Sequence, residues 1–583
     1  MNHGADNSLI DTFPFSSHLY TNYVPSDNEI CEINAFLVEP INEVQALKIE
    51  MDRLQTELYA ITMKHDNLRL QVDACRALVT HARRIPDDIL AEVFYHCLPT
   101  GRNAPLSRIA APLIFTRICK QWRQVAVSTP RIWETIHINV ARTEPNPWTT
   151  PRSHDNNCTD PFLTTLDNGR ANAASKWLHR SGMRPLSLSL VSDFPMVGAM
   201  DVYLNSVIPF ASRWRNLFLQ APSRALSPIA ALDAQDFPSL QSLFIDFSNT
   251  RDSNTVEDLA TWANCGLLKA PSLSKLSVRQ STMQLAHLIV DWSKLSHLEL
   301  RSQSGGGSGT YFSLQNLSHV LRYCVRLVHC SVEVGLLWAQ QSDDICLMCL
   351  PLLQRLFIIS TVNIAPFTTK LEASSLQDIH FRSEEANGDI HASLDFLLQH
   401  STIRKLVIES THIGGHQFLQ CLRQCPALLS LTIKHIDPEE IMDSPRIDDK
   451  FLSRLSSTDP DGLCQGLEEF SCDDTGHFSV DGLARFVKRK QSGSVSGLAK
   501  LKKLVLGNIH RLANNSSVFK EFKELATSEE FRKYTMEGMV FRLDSGVSHE
   551  TAYSDQEVNT NNYDDPPVDF GSSSAQYTEH WAN

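Results

Sequence analysis

No run of eighteen apolar residues occurs anywhere in the chain, so a membrane-spanning helix is not expected. The first residues, MNHGADNSLIDTFPF, carry neither a basic segment nor an apolar one, and no secretory signal is visible. Cysteine is sparse, with 14 scattered through 583 residues and mostly set among apolar neighbours. That density argues against a disulfide-stapled fold and leads us to expect an intracellular location, in cytoplasm or nucleus. Positive charge is in deficit. With 53 Lys and Arg against 66 Asp and Glu, the net charge is -13, which gives nucleic-acid binding no support. More than half of that excess lies in the tail, where Ser545–Asn583 holds seven acidic residues and no Lys or Arg. Catalytic signatures are missing too: no Gly-x-Ser-x-Gly, His-Glu-x-x-His, phosphate loop or dinucleotide fingerprint occurs. A protein without enzymatic activity, cofactor or metal is expected.

What is present begins with a heptad series. Residues 1–40 are polar and mixed, and read as a disordered leader. Within a helical segment over 41–82, Val44, Leu47, Met51, Leu54, Leu58, Ile61, His65, Leu68, Val72, Cys75 and Val79 are spaced alternately three and four apart. Such a seam suits a dimerising coiled coil, and equally an amphipathic helix folded back on its own domain. Residues 83–138 come next as a compact apolar segment. Pro86 sits well in the first turn of a helix, Asp87 and Asp88 favour its positive end, and Ile89, Leu90, Val93, Phe94 and Leu98 give it an apolar face. A second helix carries Ile114, Ile118, Trp122 and Val125, ahead of Ile132 and Trp133. The Pro-rich stretch 139–170 reads as a linker, and 545–583 as a disordered acidic tail.

Between them lies a domain over 171–544, in which a short pattern recurs from about 211 to 506: apolar, two variable, apolar, one variable, apolar. Its eleven copies run from Trp214–Leu217–Leu219 through Leu295–Leu298–Leu300 and Ile403–Leu406–Ile408 to Leu501–Leu504–Leu506, spaced 22 to 39 residues apart. The last two apolar positions lie on one face of a short strand, and several spacers have helical periodicity. This resembles a degenerate leucine-rich repeat, an irregular α/β solenoid with a parallel sheet. A non-solenoid α/β fold is the other reading, since the Asn ladder of regular repeats is missing. The CLMC stretch (346–349) lacks a second pair at zinc-finger spacing, and core cysteines are expected there. Cys421 and Cys425 read the same way. The glycines of SGGGSG (304–309) read as a loop, and Lys488-Arg489-Lys490 as the end of a helix.

The segments RIPDDILAEVFYHCLP and IFTRICKQWRQVAVSTPRIWETI, in that order, resemble the two halves of an F-box, in the form abundant in mushroom-forming fungi. The likeness covers residues 44–138. It implies a small helical unit that docks on the Skp adaptor of a cullin–RING ubiquitin ligase. Ile85, Pro86, Ile89, Leu90, Val93, Phe94 and Leu98 would make that contact, and Ile118, Cys119, Trp122 and Trp133 would hold the unit together. The repeat region would then select a target protein. A non-degradative scaffold with a divergent F-box is the alternative.

Overall fold

The computed structural model describes residues 9–79, 81–140, 161–192, 197–247, 262–279, 288–301, 312–335, 345–383, 394, 402–410, 415–435, 447–457, 462–473, 478–492, 497–507 and 516–543. The chain divides into two compact units, Met1–Leu90 and Ala91–Asn583.

The first unit is dominated by one helix, α1, Asp27–Leu78, 52 residues long and so roughly 78 Å at ~1.5 Å per residue. It starts where its sequence supplies a cap. The Glu29 carboxylate accepts the Ser26 backbone N–H at 2.7 Å, relieving one of the unpaired donors of the first turn. The Ser26 N–H and hydroxyl, with the Tyr23 hydroxyl, hold that carboxyl below its usual range. Residues 13–23 fold onto the beginning of α1, with the Phe13 and Phe36 rings 5.3 Å apart. The leader expected to be disordered over 1–40 is therefore helical from Asp27 onward, because Ser26–Glu29 nucleates the helix earlier than the heptads begin. Arg53 bridges Glu50 and Glu57 along its surface, pairs that add a few tenths of a kcal/mol each.

The second unit is built on one parallel sheet of 14 strands. In chain order these are β1 Thr135–Asn139, β2 Leu186–Val191, β3 Trp214–Gln220, β4 Ser242–Asp246, β5 Lys275–Arg279, β6 His297–Arg301 and β7 His329–Val334. Then come β8 Arg355–Ser360, β9 Asp378–Ser383, β10 Lys405–Ser410, β11 Ser430–His435, β12 Glu469–Asp473, β13 Lys503–Gly507 and β14 Val540–Leu543. Spatial order equals chain order throughout, each strand lying between its sequence neighbours. Mixed α/β architecture with a large parallel sheet is thus what the apolar pattern produces.

Register explains the pattern. Leu243 aligns with Leu276, Leu276 with Leu298, and Leu298 with Cys330, while Ile245, Val278, Leu300 and Val332 form the next row. Both rows are buried. The first apolar residue of each motif, such as Leu240, Leu273, Leu295 or Leu327, is buried just ahead of its strand. Its neighbour donates to the preceding repeat: Ser274 N–H to Gln241 O at 2.9 Å, Ser296 to Ser274 at 2.8 Å, Val328 to Ser296 at 2.8 Å. A motif therefore satisfies its backbone only against the previous one, and buries its leucines only in a stack. Spacer helices are capped locally, with Ser313, Asp448, Ser479 and Ser528 each accepting the N–H three residues on.

Three boundaries differ from expectation. The segment expected to end at 138 runs into β1, whose register with β2 pairs Ile136 with Leu188 and Ile138 with Leu190. The expected linker 139–170 ends in a helix, Pro161–Arg180. Residues 104–106, inside the stretch separating the two apolar helices, also join the sheet. His137 N–H donates to Ala104 O at 2.8 Å, and Leu106 N–H to His137 O at 3.1 Å. They cover an edge that would otherwise present unpaired backbone groups. The glycine-rich 304–309 and the tail 545–583 lie outside the described residues.

Candidate functional site

The helix Asp87–His96 (α2) carries most of the residues expected to meet a partner. It divides them by face. Leu90 and Phe94, one turn apart, are 0% exposed, whereas Ile89 and Val93, also one turn apart, are 51% and 41% exposed. Pro86 is exposed, and Ile85 and Leu98 are half-buried. Leu90 and Phe94 thus lie on the inward face of the helix. A small helical segment must spend its largest apolar side chains on its own interior.

Phe94 shows what that interior is. Its ring stacks on Phe115 with centroids 4.2 Å apart and interplanar angle 5°, and tilts against Trp122 at 5.0 Å. Phe115 opens the short helix α3, Phe115–Ile118, and Trp122 lies in α4, Lys120–Ser128. Cys119 stands between them with an extended backbone, and its Sγ accepts the Trp122 N–H at 3.4 Å. In Cys-x-x-Trp the thiol thus caps the helix that presents the indole. Ile118 is 53% exposed. Trp133 is fully buried, and its Nε1–H donates to Ala126 O at 2.7 Å. Cys119→Ala should cost about 1 kcal/mol of unfolding free energy and Cys119→Ser a few tenths, as for ordinary N-caps; urea denaturation of the two variants checks this.

No protein-family model and no curated protein matches this chain.

A second set of residues was invisible to motif reading. On the sheet face opposite the leucine rows, side chains meet across strands. Glu299 receives Ser277 Oγ–H at 3.0 Å and lies 2.8 Å from Arg301 Nε and 3.3 Å from Arg279 Nη2. Burial alone would raise its carboxyl, but the two guanidiniums and the Ser277 hydroxyl outweigh that and hold it low. Arg279 lies over the Phe244 ring, 5.1 Å from its centroid, and Arg301 over Phe357 at 5.0 Å. Phe218 and Phe244 stack at 4.1 Å. Farther along, Glu409 gathers His380 Nε2 at 3.1 Å, Lys434 Nζ at 3.1 Å and Arg382 Nη1 at 3.9 Å. Burial opposes its ionisation, yet His380 and Lys434 bring its pKa down to about 2.

Glu299, between Leu298 and Leu300, and His380, between Ile379 and Phe381, occupy the variable slot of the motif, while Arg279, Arg301, Arg382, Glu409 and Lys434 come just after its last apolar position. That slot was the available signal. Which slots become neighbours depends on strand register, which pairs Ser277 with Glu299 and aligns Arg382, Glu409 and Lys434.

The two cysteine pairs part company. Cys421 and Cys425 are buried, and burial raises the Cys425 thiol to about 11. Cys346 and Cys349 are not core residues. Met348 and Leu350 take the buried positions there, leaving Cys346 half-buried and Cys349 exposed with its thiol donating to Glu372 at 3.0 Å. The basic cluster closes the helix Val480–Gln491. Its Lys490 is buried, with Nζ donating to Leu467 O at 2.9 Å and Gln465 O at 3.3 Å; burial lowers it to about 8. Among the described residues, no group of three or more His, Cys, Asp or Glu could hold a metal ion, and no helix is long and apolar enough to cross a membrane.

Proposed function

We propose that this protein is a substrate-recognition adaptor of a Skp–cullin–F-box ubiquitin ligase. In this reading residues 83–138 are the F-box, and the strands after it form an irregular leucine-rich-repeat-like solenoid that selects the target. The observation that carries the reading is the outer face of α2. Ile89 and Val93 hold apolar surface out to solvent in the helix just after Arg-Ile-Pro, the position from which the resembling family contacts its adaptor. A few apolar anchors of this kind carry most of the energy of a protein interface. The contact set in this reading is Ile85, Pro86, Ile89, Leu90, Val93, Phe94 and Leu98, with Ile89 and Val93 on the exposed face and Leu90 and Phe94 buried. The sheet face that carries Arg279, Arg301 and Arg382 would serve the target, with the buried Phe244, Glu299 and Phe357 beneath holding the Arg279 and Arg301 guanidiniums in place. Arg is among the residues enriched at recognition surfaces. The protein would contribute proximity, raising the effective concentration of a target lysine near the charged ubiquitin carrier.

A scaffold with a divergent F-box is the second reading. It draws support from the burial of Leu90 and Phe94, which narrows the available contact face. Capture of the full chain by purified Skp adaptor separates the two. Wild type should bind, and Ile89→Asp/Val93→Asp should weaken binding ~100-fold or more, as expected when two anchors worth ~1.5–3 kcal/mol each are replaced by charge. Both positions face solvent, so the variant should keep the wild-type melting temperature. A folded wild-type chain that fails to bind would leave the scaffold.

A further inference from the structure

We infer that α1 pairs with α1 of a second copy of this chain, as a parallel, in-register, two-stranded coiled coil over residues 44–79. The inference is independent of the ligase reading. Every residue from Ile41 to Arg76 is exposed. The start of the helix is different: there Ile33, Phe36 and Leu37 are half-buried, and Phe13 reaches Phe36. Within the first unit, the described residues cover the helix only as far as Pro40. A lone helix with an open apolar seam gains little from propensity alone and needs tertiary or quaternary packing.

The seam specifies its occupant. With Val44 at heptad position a, positions a are Val44, Met51, Leu58, His65, Val72 and Val79, and positions d are Leu47, Leu54, Ile61, Leu68 and Cys75. Three of the six a positions are Val and three of the five d positions are Leu, and β-branched residues at a with Leu at d favour two parallel strands. His65 is the one polar residue on the seam and falls at a. In a parallel pair without stagger both imidazoles share one layer and every other layer is apolar. Any stagger puts each imidazole against an apolar side chain and leaves seam residues unmatched. A single polar a position sets register in this way. Flanking charges favour neither orientation: in a parallel pair Glu43 would meet Lys48, but Lys64 would meet Arg69. Size suffices as well. The ten apolar seam positions per helix need to bury only ~50 Å² each to reach the ~1,000 Å² of a specific interface.

Sedimentation equilibrium of the full chain in reducing buffer should give twice the chain mass. Leu54→Asp/Leu58→Asp should be monomeric; both side chains are exposed, so the thermal transition of the sheet should not move. His65→Leu should lower the dimer Kd ~10-fold or more, since it removes the polar layer. Orientation is read at Cys75, a d position. Copper–phenanthroline oxidation should join two Cys75 thiols into a disulfide, with two electrons and two protons passing to the oxidant, and Cys75→Ser should abolish the cross-linked band. A monomeric wild type at tens of micromolar would overturn the inference, and so would a dimer that survives the double substitution. A dimer without the Cys75 cross-link would overturn the parallel arrangement.

Discussion

Trp133→Ala is expected to lower the unfolding free energy of the second unit by about 3–5 kcal/mol, the range for deleting a buried aromatic side chain. The indole is fully buried and meets Trp177 edge-on, with centroids 5.1 Å apart and planes at 89°. The Arg180 guanidinium lies 4.6 Å from its ring centroid, and its N–H satisfies Ala126 O. Alanine leaves a cavity and a buried carbonyl without its donor. Trp177 and Arg180 belong to the helix preceding β2, so the loss reaches the sheet. Since a domain's total stability is ~5–15 kcal/mol, the melting temperature should drop sharply in a single transition. Trp133→Phe should restore part of the loss by refilling the volume. If 83–138 were an independent domain, Trp133→Ala would give two transitions, the larger unchanged.

The second large effect is acid lability between pH ~6.5 and ~4. Burial, reinforced by the nearby Arg102 charge, brings the His137 imidazole down to about 4. In the unfolded chain the same group titrates near ~6.5. On acidification the unfolded state takes up its proton first, so stability is lost as pH falls through that window and regained as pH rises. At ~1.36 kcal/mol per unit, His137 alone accounts for about 3 kcal/mol. Burial, helped by Lys275, His329 and Arg355, likewise lowers His297 to about 4; being less buried, it adds a smaller increment of the same sign. Glu409 acts below that range. Its stabilising contribution is present above its unfolded value of ~4.3 and is lost as pH falls toward about 2. Melting temperature recorded from pH 8 to 4 should fall steeply below 6.5, and His137→Gln should flatten the fall. A flat wild-type profile, or an equal slope in the variant, would refute the assignment.

These two residues also mark how far local sequence reaches. Trp133 was legible as a core residue because it closes an apolar segment after Pro130. That its partner would be Trp177 was not, because 44 residues of chain separate them and only β1–β2 pairing brings the helix 161–180 alongside. His137 looks like an ordinary polar position in Thr-Ile-His-Ile-Asn. Its burial depends on residues 104–106 joining the sheet beside it, an event with no local signature. The same holds for Ile118 and Phe94, both apolar, of which only Phe94 is buried.

By itself the sequence determined which segments form strands and helices, since those depend on local periodicity: the leucine rows, the heptad seam, the Ser and Asp caps. It also determined chain-order stacking, because a repeat that cannot bury its own leucines has its nearest neighbour as the closest source of cover. Tertiary structure alone decided which variable positions meet across strands, which face of α2 turns inward, and that the stretch after α2 caps the sheet. Those outcomes depend on register and on contacts between distant residues, whose energies appear only once the chain has closed the loops between them.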